Sequence, residues 1–494
     1  MTATTNDTES SRLLPAERDG YGSASDCESA PQPEEPKPYS HAFIARVVIA
    51  LLIGVFTSNA DGSLVLATHP VIASEFGDLA DSSWLFISFM LAGAASQTVY
   101  GKLSDIFGRK AILMFCYGLF ALGCALVGIG QSMWQVILGR VISGSGGAGM
   151  TAMASVIITD LAPLREVASW QSYMNVIATV GRSIGGPLGG LLADTIGWRW
   201  SFLGQAPIFA ASMVICGLLL PSTSHGTQES SIGSRLARID VFGALLLGAT
   251  VLSLMMPLEI GGQKIPWSHP IIFALFAAGL VLAVAFVFVE SRWAKEPIFP
   301  LRLLRNAQVT KSYLIVAAQA GAQLGLPNMF RALLQEPIFS QQSLETQLEE
   351  LLLASLLIES LYVFPGGLGT GIAFSAGFIS LQASIDPKDK AAAAAGLFMT
   401  TTLGTIIGMA GTSAIIQGYL RYSVQLDLTR LGMSQAEISE VTSESVSYIE
   451  HATGAVQKVL IDGYVKGIEY GHGLSIVFAG ITLITASLLK ERKL

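Results

Sequence analysis

Four ionisable side chains, Asp61, Arg140, Arg182 and Glu259, stand within or at the edge of long apolar runs. A charge in such surroundings costs several kcal/mol unless a counter-charge, a wet cavity or a proton compensates it. Asp61, in Asn59-Ala-Asp61-Gly-Ser-Leu-Val-Leu-Ala67, can take up a proton or pair with a cation. Arg140 opens Arg140-Val-Ile-Ser-Gly-Ser-Gly-Gly-Ala-Gly149, a guanidinium followed by small residues that admit a neighbouring helix. The competing readings are a carboxylate in the outer headgroup zone and an arginine snorkelling outward near Trp134. Arg182 sits inside Gly181-Arg-Ser-Ile-Gly185-Gly186-Pro187-Leu-Gly189-Gly190, where a proline bends a helix and glycines let another backbone nest against it. Glu259, near the outer end of its run, is a candidate substrate contact.

A second constellation is the charged turn Gly101-Lys-Leu-Ser-Asp105-Ile-Phe-Gly108-Arg109-Lys110. Asp105 and Arg109 are four residues apart, within pairing reach, and the glycines permit a sharp turn and close helix approach. The turn lies between two apolar runs, each near the roughly 20 residues that a membrane-spanning helix needs. The same reading along the chain gives apolar segments near 42–67, 82–101, 111–130, 133–159, 167–193, 199–220, 240–260, 269–290, 310–326, 353–381, 391–419 and 472–489. The expected fold is therefore all-α, a polytopic membrane protein of about twelve helices lying in a lipid bilayer. His69 and Pro70 are expected to end the first helix. With the amino terminus inside the cell, Lys102, Arg109, Lys110, Arg165, Arg292, Arg302 and Arg305 fall on the inner side, as the positive-inside rule favours.

Composition agrees. Of 494 residues 51% are hydrophobic and only 13% charged, too few for a soluble domain, and 51 are glycine. The net charge of −7 is weighted by acids in the first 40 residues, a Ser-, Glu- and Pro-rich stretch read as a disordered cytoplasmic tail, 1–41. Four cysteines, Cys27, Cys116, Cys124 and Cys216, have no metal-ligand spacing, and Cys116 and Cys124 read as packing residues. No phosphate-cradling loop, metal set or histidine cluster suggests an enzyme, and nothing suggests nucleic-acid binding.

The turn at 101–110 resembles the loop signature of the major facilitator superfamily, residue for residue. The 140–149 stretch is similar to that superfamily's fourth-helix motif, and 181–190 to the antiporter motif of its drug:proton branch. The stretch from Asn59 through Glu75-Phe76 and Trp84 resembles the fungal vacuolar basic amino acid transporters. The resemblance implies a proton-coupled antiporter that moves Lys, Arg or His into the vacuole, driven by the proton gradient without a cofactor. Asp61 would bind proton or cation, Arg140 would tune it, and Asp105 with Arg109 would latch the inner gate. A plasma-membrane exporter exchanging drugs for protons is the alternative, and a non-transporting relic or scaffold is a third reading.

The resemblance also implies a domain plan: a six-helix bundle 42–220, a cytoplasmic linker 221–239, an extra central helix pair 240–290 and a second bundle 291–494. That branch has fourteen spans, two more than counted here. The shortfall lies at 328–358, where Gln335-Glu336, Gln341-Gln342, Glu345, Glu349 and Glu350 are too polar for a bilayer core. With one permitted choice of codons, Gln341–Glu350 read in a neighbouring frame gives the apolar, glycine-rich Pro-Ala-Val-Val-Gly-Asn-Ala-Ile-Gly-Gly, so the region is read as out of frame with a further span lost. Residues 420–468 are expected as a lumenal segment with an amphipathic surface helix after Ser434-Gln-Ala-Glu437. In the tail, Glu9-Ser-Ser-Arg-Leu13-Leu14 resembles an acidic dileucine signal read by sorting adaptors, and a vacuolar location and a monomeric state are expected.

Overall fold

The computed structural model describes residues 39–77, 81–221, 240–261, 265–293, 297–323, 369–386, 389–430, 433 and 455–489. The expected tail 1–38 with Glu9, Leu13 and Leu14, most of the linker, the polar stretch 328–358 and Ser434–Glu437 lie outside the described residues. The regular structure among the described residues is helical: α1 (His41–Phe76), α2 (Trp84–Phe107), α3 (Arg109–Gly128), α4 (Met133–Leu161), α5 (Leu164–Thr195), α6 (Trp198–Leu203) and α7 (Gln205–Leu219) form the first half. The remainder is α8 (Val241–Ile260), α9 (Pro270–Arg292), α10 (Arg302–Arg305), α11 (Ala307–Gln323), α12 (369–382), α13 (Lys390–Arg430) and α14 (Ala455–Ser487). Among the described residues nine helices are long and apolar enough to cross a bilayer, α6 and α7 counting as one. With α2, α11 and α12 they match the twelve segments read from sequence.

Local signals set the helix starts. Ser40 and Ser132 accept from the backbone N–H groups of Phe43 and Gln135, and Asp240 accepts from Gly243. Small residues then bring the helices together. A Cβ on Gly144 would clash with Phe89 O of α2, and one on Gly146 would lie 2.7 Å from Phe120 N of α3. On Gly147 it would lie 2.8 Å from Ser58 Oγ of α1. The glycine run after Arg140 thus makes α4 the hub on which α1, α2 and α3 pack. Cys116, Cys124 and Cys216 are buried free thiols.

Three helix ends differ from expectation. α1 continues through His69 and Pro70 to Phe76 and stops at Gly77, which is left-handed at φ 69°. Proline removes one backbone donor, and His69 Nδ1 sits 3.1 Å from the Leu66 carbonyl that this donor would have served. At the other extreme, 420–430 and 455–468 are continuous with α13 and α14 instead of forming a separate surface segment. α13 has 41 residues; at 1.5 Å per residue it is about 60 Å long, twice the hydrocarbon thickness. Leu420, Val424 and Leu428 meet Leu460, Val456 and Val459 in an apolar seam that holds the two extensions together. The expected surface helix after Ser434–Glu437 lies outside the described residues.

The halves meet where the charged turn lies. α2 packs along α13, and α8, paired with α9, also packs on α2. A Cβ on Gly101 would lie 2.7 Å from Ala395 Cβ and 3.0 Å from Ala391 O, so the helices are nearly in backbone contact there. One turn earlier on α2, Gln97 Oε1 accepts from Thr402 Oγ1 of α13 at 3.3 Å.

Candidate functional site

Asp61 projects from the middle of α1 toward α4 and is 1% exposed. Its Oδ2 accepts from Arg140 NH1 at 2.5 Å, and its Oδ1 accepts from Gln205 Nε2 at 3.1 Å. Arg140, also 1% exposed, donates from Nε to the Leu85 carbonyl of α2 at 3.0 Å, and its guanidinium carbon lies 4.2 Å from the centroid of the Phe89 ring. Gln205 heads α7 and shares its amide with the Ser201 carbonyl at 3.0 Å, while the Cys124 thiol lies 3.8 Å from its Oε1. Arg140 NH2 is buried with no partner in the protein. Four helices and the α6–α7 junction therefore converge on one carboxylate.

Breaking such a pair by removing one partner leaves an uncompensated buried charge, at a cost of about 3–5 kcal/mol. Without the Asp61 charge the guanidinium would need a new partner or water in this apolar setting.

At the charged turn Arg109 is the centre. Its NH1 donates to Asp105 Oδ1 at 2.5 Å and to Ser104 Oγ at 2.7 Å, and its Nε donates to Asp160 Oδ2 at 3.0 Å. Gly108, at φ 92°, makes the reversal from α2 into α3, a conformation that favours glycine. Lys110 Nζ donates to the Leu220 carbonyl beyond the end of α7 at 2.9 Å. The turn ties α2, α3, α4 and α7 into one unit, and Gly101, on the same helix, faces α13.

Comparison with known proteins identifies the arrangement. The profile of the Major Facilitator Superfamily matches residues 51–328. The chain belongs to this superfamily. It is 27% identical to the vacuolar membrane amino acid uptake transporter fnx2 of Schizosaccharomyces pombe, over 91% of this chain and 85% of that one. It is 25% identical to the vacuolar basic amino acid transporter 2 of Saccharomyces cerevisiae, over 82% and 96% respectively. With the multidrug resistance protein fnx1 of Schizosaccharomyces pombe it shares 36% identity over 52% of this chain, spanning about half (48%) of that protein. As a major facilitator protein the chain is a membrane transporter, not an enzyme.

The antiporter-motif residues of this major facilitator chain divide by face. Gly181, Gly185 and Gly189, one turn apart, lie on α1: a Cβ would lie 2.6 Å from Phe56 O at Gly181, clash with Ala60 O at Gly185, and lie 3.0 Å from Leu64 O at Gly189. These contacts flank Asp61. Gly190 has open space beside it, a Cβ on Gly186 would meet only Ser63 O at an ordinary 3.9 Å, and Pro187 is exposed within an unbroken helix. Arg182 is exposed, with NH2 3.5 Å from Thr179 Oγ1 one turn back, and does not join the Asp61 cluster. Glu259 lies in the last turn of α8, and its side chain is outside the described residues.

Sequence reasoning overlooked Gln205 and Asp160. A lone amide at the start of an apolar run carries no charge to flag it, and Asp160, at the end of α4, reads as a solvated loop acid. The signal available for Asp160 was the surplus cation at Arg109–Lys110, which one aspartate four residues away does not balance.

Proposed function

We propose that this transporter exchanges protons for basic amino acids across the vacuolar membrane, with Asp61 as the shared site. The observation that carries the reading is the fully buried Asp61–Arg140 pair held by Gln205. One carboxylate serves two mutually exclusive cations: a proton from one side, or the ammonium or guanidinium of Lys, Arg or His from the other. Each displaces Arg140, and the cost of the released charge favours rearrangement of the helices around it. Competition for one site makes exchange, not co-transport, the natural outcome. Two relatives that align with most of this chain, a vacuolar membrane amino acid uptake transporter and a vacuolar basic amino acid transporter, support this choice of substrate class and membrane.

A specific observation favours a second reading. Identity to the multidrug resistance protein fnx1 reaches 36% over about half the chain, so a drug:proton exporter of the plasma membrane is the alternative. Uptake of labelled arginine by vacuolar vesicles, with the proton gradient intact and with it collapsed, separates the two. Gradient-dependent uptake abolished by Asp61→Asn is the expected result; no arginine uptake, with gradient-dependent extrusion of a cationic dye, would replace it with the exporter reading.

A further inference from the structure

The site just described leaves a second buried carboxylate without a task. Glu290, in the last turn of α9, is 5% exposed. Its Oε1 accepts from the Phe299 amide at 2.7 Å, and its Oε2 is buried with no protein partner. Asp240, at the start of α8, and Lys102, in the charged turn, are near enough to act on it electrostatically. A carboxylate in this position fixes the backbone segment that follows.

That segment, 297–306, forms a collar around the head of α13. Phe299 lies 6.3 Å, centroid to centroid, from Tyr313, and the Tyr313 hydroxyl donates to Ala393 O at 3.1 Å. A Cβ on Gly396 would lie 2.7 Å from the Phe299 ring and 2.8 Å from the Tyr313 hydroxyl. Further along, Arg302 NH2 pairs with Asp389 Oδ1 at 2.7 Å and Asn306 Nδ2 donates to Ser384 O at 3.0 Å. Ala391, Ala395 and Thr402, which meet Gly101 and Gln97 of α2, lie on a different face of α13, about 150° round the helix from Ala393 and Gly396. The head of α13 is held between the collar and α2.

We propose that Glu290 is a positioning residue for the α2–α13 gate: through the Phe299 amide it fixes the collar that presses α13 against Gly101 and Gln97. The inference rests on the transporter reading, in which this contact opens once per cycle. It assigns a role to the helix pair α8–α9, which carries the anchor without lining the Asp61 site.

The test uses the full chain in vesicles, carrying Gln97→Cys and Thr402→Cys, whose oxidative cross-link reports the closed contact. Glu290→Ala, which removes the acceptor, is expected to lower the closed-to-open ratio about tenfold or more. Glu290→Gln keeps an oxygen for the Phe299 amide and is expected to retain the cross-link within about twofold. Without the added cysteines, Glu290→Ala is expected to leave Cys116, Cys124 and Cys216 unreactive to maleimide and to change maximal uptake rate more than KM. Should Glu290→Ala not fold, Arg302→Gln loosens the far end of the collar and shifts the cross-link the same way. An unchanged cross-link in the folded variant, or an equal loss in Glu290→Gln, overturns the proposal. Because the cross-link is read without substrate, a parent protein that transports nothing while the cross-link still responds would count against the transport reading alone.

Discussion

Asp61→Asn is the sharpest probe of the buried pair. The substitution keeps the shape of the side chain and removes its charge, so Arg140, 1% exposed and with NH2 already unpartnered, becomes an uncompensated buried cation. The expected loss is about 3–5 kcal/mol of stability in the conformation described, roughly two to three and a half decades in its population. Arg140→Gln leaves Asp61 unpaired and should cost a similar amount. The double variant leaves no buried charge and should recover most of the loss, a coupling energy of about 2 kcal/mol or more. The assay follows from the structure: Cys116, Cys124 and Cys216 are buried, so with Cys27 replaced by serine a fluorogenic thiol reagent reports thermal unfolding of the purified protein. Proton-driven uptake should be absent in all three variants, so stability and transport separate in the double one. If Asp61→Asn unfolds with the parent and the double variant is no more stable than the singles, the pair is hydrated and the argument from desolvation fails.

Other outcomes test the elements around the site. Gly185→Ala should abolish uptake and lower stability, because its Cβ would meet Ala60 O, whereas Gly190→Ala, with open space at that position, should be silent in both assays. Arg109→Lys should reduce uptake at least about tenfold, since an ammonium cannot hold Asp105, Asp160 and Ser104 in one planar fork; vesicle uptake checks it. Replacing Leu13 and Leu14 by alanine should move a fluorescently tagged protein from the vacuolar to the plasma membrane by microscopy, and an unchanged location would remove the sorting argument.

The parts of this architecture visible in the sequence are those set by local chemistry. Apolar run length gives the helices, and the Gly101–Lys110 turn carries the resemblance to the family through a ten-residue match in the right place. Charges at Asp61 and Arg140 stand out singly in apolar surroundings. Their contact does not, because it depends on the relative rotation of two helices, which neither run specifies. The same limit hides Gln205, whose part is defined by a carboxylate 144 positions away. Helix ends are misread where tertiary contact overrides a local stop: α1 passes Pro70, and the extensions of α13 and α14 persist because Leu420, Val424 and Leu428 find Leu460.

The glycine seam and the gate divide the work between them. Along α5, Gly181, Gly185 and Gly189 put backbone against backbone on α1, on both sides of Asp61 along the helix. Contacts of that kind have no side chains to re-pack and no intermediate spacing, so α1 and α5 move together or separate outright. The Arg109 cluster binds α2, α3 and α4 by a different means, side-chain ion pairs to Asp105 and Asp160. Among the described residues, the α2–α13 contact sets Gly101 against Ala391 and Ala395 and adds one long hydrogen bond between Thr402 and Gln97, the last worth about 1 kcal/mol. In the proposed exchange cycle this contact is the one that opens, and the release of Arg140 from Asp61, at about 3–5 kcal/mol, is large enough to drive it. On that proposal the strong interactions stand where ions bind, and the weak ones where the protein must move.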